Sequence, residues 1–232
     1  MELSTTPGAN ALLEPMHREV NDDVKPFRAM DHAIDPAFLN RWSPRAFSPQ
    51  PIDDEVLMSI LEAARWAASS YNEQPWRFLI ARGEEDRKRF VEFLAPPNQA
   101  WAASAPVLLL VATKKTFSHN DKPNLTSEYD AGTCSGYMAL QATLNGLVVH
   151  GMVGFDRDMA RAALQIPGDF DPIAVYAIGR HGDKSQLPAE AQEREMPSGR
   201  RPLSESVMEG RFSMPKEVAA EKDTDNAATV NA

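Results

Sequence analysis

The chain of 232 residues contains a single cysteine, Cys134. One thiol closes no intrachain disulfide and builds no multi-cysteine metal site, which fits a reducing compartment. The five histidines, at 17, 32, 119, 150 and 181, lie far apart with no H-x-x-x-H pair, so no catalytic metal is expected. Neither G-x-G-x-x-G nor G-x-x-x-x-G-K-[ST] occurs, which removes the usual dinucleotide and nucleotide loops. The longest strongly apolar run, "APVLLLVA" at 105–112, is far too short to span a membrane. The first twenty residues show no basic start followed by an apolar core, so no signal peptide is expected and the chain reads as soluble and cytoplasmic. Positive charge is in deficit, with 24 Lys and Arg against 33 Asp and Glu, a net charge of −9. Nonspecific nucleic-acid binding is therefore not expected, although a local basic site for an anion is still allowed.

Nucleophile chemistry is also poorly served. "GTCSG" at 132–136 places its serine fourth rather than third, so it is no nucleophile elbow. Its small residues suit close helix packing. Cys134 with His150 could form a nucleophilic pair, but Cys134 lies mid-helix beside Gly and Ala, where a buried structural thiol is the default.

What is present is ordinary globular material, 43% hydrophobic and 25% charged, of a length that suits one large domain. Residues 1–33 read as an extended or loosely packed arm, 34–213 as the folded domain, and 214–232 as a disordered tail. Within the domain, helical and strand patterns alternate. Asp35 and Pro36 open a short helix at 35–42. Asp53 caps a strong amphipathic helix running to about residue 70, with Asp54 and Glu55 in its first turn. Residues 77–82 alternate as a strand. A helix at 84–94 is expected to stop at Pro96-Pro97, with another short helix at 98–104. The continuous apolar run at 106–114 predicts a buried strand. A long helix at 127–146 ends at Gly146. Then come a strand at 147–153, a helix at 156–166 and a strand at 172–180. Four strands with five or six helices make an α+β or α/β domain.

Three polar clusters interrupt this pattern. "RWSPRAF" at 41–47 places Arg41, Ser43 and Arg45 within five residues. Arginine forks match phosphate oxygens, although a solvated basic turn fits the spacing too. "SSYNEQPW" at 69–76 offers Ser69, Ser70, Asn72 and Gln74. Those groups suit the edge of a heteroaromatic ring, or simply a capping turn before a core Trp76. In "VVHGMVGFD" at 148–156, Gly151 and Gly154 would let backbone approach a planar ligand, while His150 alone is weak evidence.

In this order the clusters resemble the FMN-dependent nitroreductase family, whose pattern is an R-x-S-x-[RK]-x-F-like segment, a P-S-S-x-N-x-Q-P-W-like turn after a helix, and a P-I-G-G-F-D-like turn before another helix. The chain continues with "LQIP", "VYAIGR" and "GRRPLSESV", so the likeness covers roughly 35–210. It implies a mainly antiparallel sheet flanked by helices, in an intertwined homodimer with FMN at the subunit interface. It implies phosphate and ribityl contacts from Arg41, Ser43 and Arg45, with Trp42 in the same stretch and Arg45 near the flavin pyrimidine edge. Ser69, Ser70, Asn72 and Gln74 would belong to the turn presented by the other subunit. Val153 and Gly154 would offer backbone toward flavin N5, flanked by His150, Gly151 and Met152. Arg200 or Arg201 would complete the phosphate site, with Arg200 favoured. Asn98 falls near a position where some members touch the flavin. Ala68 and "HGM" depart from the family pattern, and the segment 115–128 is this chain's own, a stretch that could cover the flavin.

The implied activity is an NAD(P)H-dependent oxidoreductase that passes hydride through FMN to a nitroaromatic, quinone or similar acceptor. That would explain the missing acid–base constellation, because the cofactor carries the chemistry. A same-fold flavin enzyme of other chemistry (dehalogenation, flavin fragmentation, enoyl reduction) and a non-catalytic flavin-binding protein are the alternatives.

Overall fold

The structure, a computed structural model, describes residues 19–213. The expected tail at 214–232 and the first part of the expected arm lie outside the described residues. The described part of the arm is mostly exposed but anchored at two points. Val24 is fully buried against Leu39 and Trp42, and the N–H of Asn21 donates to Oδ1 of Asn40.

The elements follow the sequence pattern closely. They are α1 (Pro36–Asn40), α2 (Asp54–Arg65), β1 (Trp76–Ala81), α3 (Glu84–Glu92), α4 (Pro96–Ala102), β2 (Val107–Lys114), α5 (Ser127–Leu144), β3 (Val148–Met152), α6 (Arg157–Ala163), β4 (Phe170–Gly179) and α7 (Ala189–Gln192). Asp35 caps α1 through the Ala37 N–H, with Pro36 at the first helical position, where its missing donor costs nothing.

Two boundaries differ from expectation. The helix before Ser69 stops a turn earlier, at Arg65. Its end tightens, with Trp66 N bonded to Ala63 O and Ala67 N to Ala64 O, and the backbone is extended by Ser69. Pro96-Pro97 does not only end a helix; it opens α4, for the same reason that Pro36 opens α1.

The strands form one antiparallel sheet in the order β1-β2-β4-β3. The unbroken apolar run of β2 follows from burial on both faces. Leu108, Leu110 and Ala112 join one core with Phe90, Phe93, Trp101 and Val175. Val107, Leu109 and Val111 face the other, built by Leu57, Ile60 and Ala64 of α2 and Ala131, Cys134, Met138 and Ala142 of α5. That last spacing of three, four and four is the buried stripe of a helix. A register shift between Val111 and Ala112 sets Ala112 opposite Pro172, a bulge that accommodates a residue with no N–H. No helix among the described residues is long and apolar enough to cross a membrane.

Candidate functional site

The loop at 41–47 leaves α1 and runs to Phe47, which bridges to His181 just beyond β4. Its backbone is fixed from a distance. Glu195, whose side chain is 2% exposed, accepts hydrogen bonds from the N–H of Arg45 (2.9 Å) and of Ala46 (2.8 Å). Burial alone would raise the Glu195 carboxyl. Its interaction with His181, whose Nε2 lies 3.6 Å away, and the hydrogen bonds from the two N–H groups outweigh burial and hold the carboxyl below the usual range. On the other side, His150 of β3 hydrogen bonds through Nδ1 to Pro44 O (2.9 Å). A carbonyl only accepts, so this nitrogen carries the proton. Burial pushes His150 below the ordinary imidazole range, and the nearby Arg45 charge acts in the same direction.

Arg41 is half-buried and donates to Ser43 Oγ (3.3 Å). Desolvation lowers its pKa, and the charge of Arg200 adds to the effect. Neither Arg41, Arg45 nor Arg200 forms an ion pair with a carboxylate among the described residues. Arg201, by contrast, is 84% exposed in its side chain and lies 4.0 Å from Glu205. The electrostatics therefore join Arg200, rather than Arg201, to Arg41. Trp42 sits differently from its neighbours: its ring is buried with Val24 and Leu39 and packs edge-on to His181 at 5.2 Å, so its side chain is core.

The glycine turn lies beside this loop, at the end of β3. Met152 is buried in the core, while Val153 is 74% exposed. A Cβ on Gly151 would come within 2.8 Å of the Tyr176 ring, so this glycine is required by its cross-strand partner. Gly154 O accepts from Asn98 Nδ2 (3.1 Å) and from Ala95 N (2.9 Å), which ties the start of α4 to the turn. The expected residues Arg41, Ser43, Arg45, His150, Gly151, Gly154, Asn98 and Arg200 thus fall into connected positions.

Ser69, Ser70, Asn72 and Gln74 do not join them. Lys114 N donates to Pro75 O, and Trp76 pairs with Thr113, so the turn sits at the far end of β2. The arginine loop lies by the opposite end, where Val107 pairs with Ile178. The seven residue steps of β2 separate them by roughly 23 Å. The turn is also strained. Tyr71, Asn72 and Gln74 all take left-handed backbone, with φ of 52°, 55° and 49°. Asn tolerates that region, but each of the other two costs on the order of 1–3 kcal/mol. What holds it is again a buried carboxylate: Asp130 of α5 accepts from Ser70 N (3.2 Å) and from Thr126 Oγ1 (3.2 Å). Ser69 Oγ accepts from Gln74 N (2.9 Å). Glu73 accepts from the N–H and hydroxyl of Ser118 (2.9 and 2.6 Å), so the segment 115–128 is laced to this turn. Tyr71, 82% exposed, meets Phe117 and His119 at ring distances of 5.6 and 5.5 Å.

Glu195, Asp130 and Arg28, which grips the carbonyl of Arg41, are the residues that sequence reading missed. Each acts across a long separation and carries no local motif.

The nitroreductase family model matches residues 39–97, which span the arginine loop and the strained turn. A Streptomyces coelicolor protein provisionally named an NADH dehydrogenase/NAD(P)H nitroreductase is 30% identical over 61% of this chain and 80% of its own. One from Streptomyces griseus with the same provisional name is 24% identical over 68% and 93%. A crystal structure described as an oxidoreductase containing FMN is 44% identical, covers 81% of this chain and 97% of its own, and superposes with a TM-score of 0.77. The matched family model, the 30% identical relative and the shared fold lead to one conclusion: the chain belongs to the nitroreductase family of oxidoreductases.

Proposed function

We propose that the protein is an FMN-dependent oxidoreductase that takes electrons from NADH or NADPH and passes them to a small acceptor such as a nitroaromatic or quinone. The observation that carries this reading is that Arg41 and Arg200 lie near enough for the charge of one to act on the other, with no carboxylate partner for either among the described residues. A cationic pair that leaves its own charge unneutralised is suited to a dianionic phosphate. One relative points the same way: the 44% identical structure is described as containing FMN.

FMN held there would supply the redox chemistry, hydride transfer from a nicotinamide to the acceptor. The protein's part is to hold and tune. Arg41 and Arg200 would hold the phosphate and Ser43 would donate its hydroxyl. Arg45, on a backbone fixed by Glu195, would place positive charge by the pyrimidine edge, where it favours the anionic reduced ring. Val153 and Gly154 would offer backbone N–H groups on the other side, their turn braced by Asn98.

Ser69, Ser70, Asn72 and Gln74 stand about a strand length from these residues in their own chain. That separation supports a homodimer in which the turn of one subunit completes the site of its partner. The exposed surface of α5, with Tyr129 and Tyr137 78% and 47% exposed, would suit such an interface. The purified protein is expected to be yellow, and anaerobic addition of NADH or NADPH to bleach its visible flavin absorption. A colourless protein that gains no thermal stability from added FMN would refute the reading. Flavin that binds but is reduced by neither nicotinamide would leave a binding protein without turnover.

A further inference from the structure

Arg28 belongs to none of the sequence motifs. It follows a turn at 22–27 in which Val24 N and Lys25 N bond to Asn21 O and Phe27 N bonds to Val24 O. Its guanidinium reaches two other segments. Nη1 donates to Leu39 O and to Arg41 O (2.7 Å), and Nε donates to Ser198 O (2.9 Å). Arg200 Nη1 makes a longer contact to that same Ser198 oxygen (3.4 Å) and donates to Gly199 O (2.8 Å). Arg28 and Arg200 therefore share an acceptor, while Arg28 holds the backbone of Arg41. The guanidiniums of Arg28 and Arg200 thus meet at Ser198 O, and Arg28 ties them to the backbone of Arg41, whose charge both feel.

None of the three is ion-paired to a carboxylate among the described residues. Their mutual repulsion is visible at Arg28 as well, where burial and the charges of Arg200 and Arg41 all work against protonation. Arg28, Arg200 and Arg201 line a cavity of about 680 Å³, which reaches Leu39 on the side of the Arg41 loop. Asp31, the one carboxylate among its lining residues, is engaged by the N–H of Leu203 (2.8 Å). Nη2 of Arg28 makes no hydrogen bond among the described residues, so part of its fork is left for a ligand.

We propose that Arg28 is a third cation of the phosphate site, and that the phosphate dianion ties the stretch around residue 28 and the segment at 198–203 to the loop that carries Arg41. The inference rests on the FMN reading above. It makes the stretch before α1 part of the binding machinery, and it makes binding selective for the phosphorylated form of the flavin.

FMN and riboflavin differ by the phosphate alone, so titrating the full-length protein with each isolates this contact. The wild type is expected to bind FMN far more tightly than riboflavin. Arg28→Met is expected to weaken FMN binding about 10-fold, the scale of one charge-assisted contact, and to leave riboflavin binding unchanged. Arg28→Lys, which keeps the charge but not the fork, is expected to lose less, and it carries the test should Arg28→Met fail to fold. Inorganic phosphate alone is expected to raise the melting temperature of the wild type, and that of the Arg28 variants by less. Equal weakening toward both flavins would overturn the proposal, because Arg28 would then only support the fold. So would unchanged FMN affinity, or a phosphate response identical in wild type and variants. A wild type that binds neither flavin would instead overturn the FMN reading itself.

Discussion

The loop at 41–47 and the turn at 69–75 stand at opposite ends of β2, and each hangs on a buried carboxylate supplied from elsewhere in the chain. They differ in what the carboxylate holds. Glu195 meets two backbone N–H groups at 2.8–2.9 Å in a loop with no left-handed residue. Asp130 meets a single N–H of the turn, that of Ser70 at 3.2 Å, and its other contact is to the Thr126 hydroxyl beside its own helix; the turn it holds has three left-handed residues. The first loop is fixed by strong contacts on relaxed backbone, the second by a single weaker contact on strained backbone. A site that must grip a phosphate benefits from the first arrangement. A segment that must project side chains outward, past its own fold, uses the second.

The largest expected effect is at Glu195. Glu195→Ala leaves the N–H groups of Arg45 and Ala46 without an acceptor, and should cost about 3 kcal/mol in urea unfolding. Exchange of the amides at 41–47 should quicken while those at 69–75 stay as they were. If both regions loosened together, the two ends would not be independent. The same carboxylate gives a pH signature. Its folded pKa is depressed, so its contribution is fully present above the ordinary glutamate value of about 4.3 and is lost as pH falls through the folded value. Wild type should therefore lose more stability than Glu195→Gln when acidified through that window.

Next in size is Asp130→Ala, expected to cost about 2 kcal/mol and to loosen 69–75 selectively. A loss confined to α5, with the amides of the turn unchanged, would show that Asp130 serves the helix alone. The smallest effect carries the opposite sign. Gln74→Gly removes the steric cost of left-handed backbone and should stabilise the fold by about 0.5 kcal/mol, read from the urea midpoint. A destabilised variant would mean that the turn is relaxed, and the contrast with the arginine loop would collapse.

The framework of the fold was legible because it is written locally. The apolar run of β2, the stripe Ala131, Cys134, Met138 and Ala142, and the capping Asp35 each show their element within a few residues. The candidate site was legible only in part. "RWSPRAF" and "SSYNEQPW" carry their own chemistry, but nothing in them shows that they lie a strand length apart. Glu195 sits in the polar stretch "AQEREMPSGR" and looks like any solvated acid. It is 150 residues from Arg45, and no periodicity links positions so distant. Nothing near Gly151 in the sequence shows that a Cβ there would meet the Tyr176 ring across the ladder. Pairing partners of this kind follow from register, which one strand alone does not specify.

The reach of Glu195 back to residue 45 has a consequence in time. Synthesis runs from the N-terminus at about 5–20 residues per second. The loop that carries Arg41 and Arg45 therefore leaves the ribosome roughly 8–30 s before the carboxylate that fixes it, and Arg200 follows later still. A nascent chain can close helices and begin its sheet in that interval, yet it has no finished arginine loop to offer. If the loop binds a phosphate-bearing ligand as proposed, that ligand would load only once the last tenth or so of the folded domain has been made, and the growing chain would not grip it around an incomplete core.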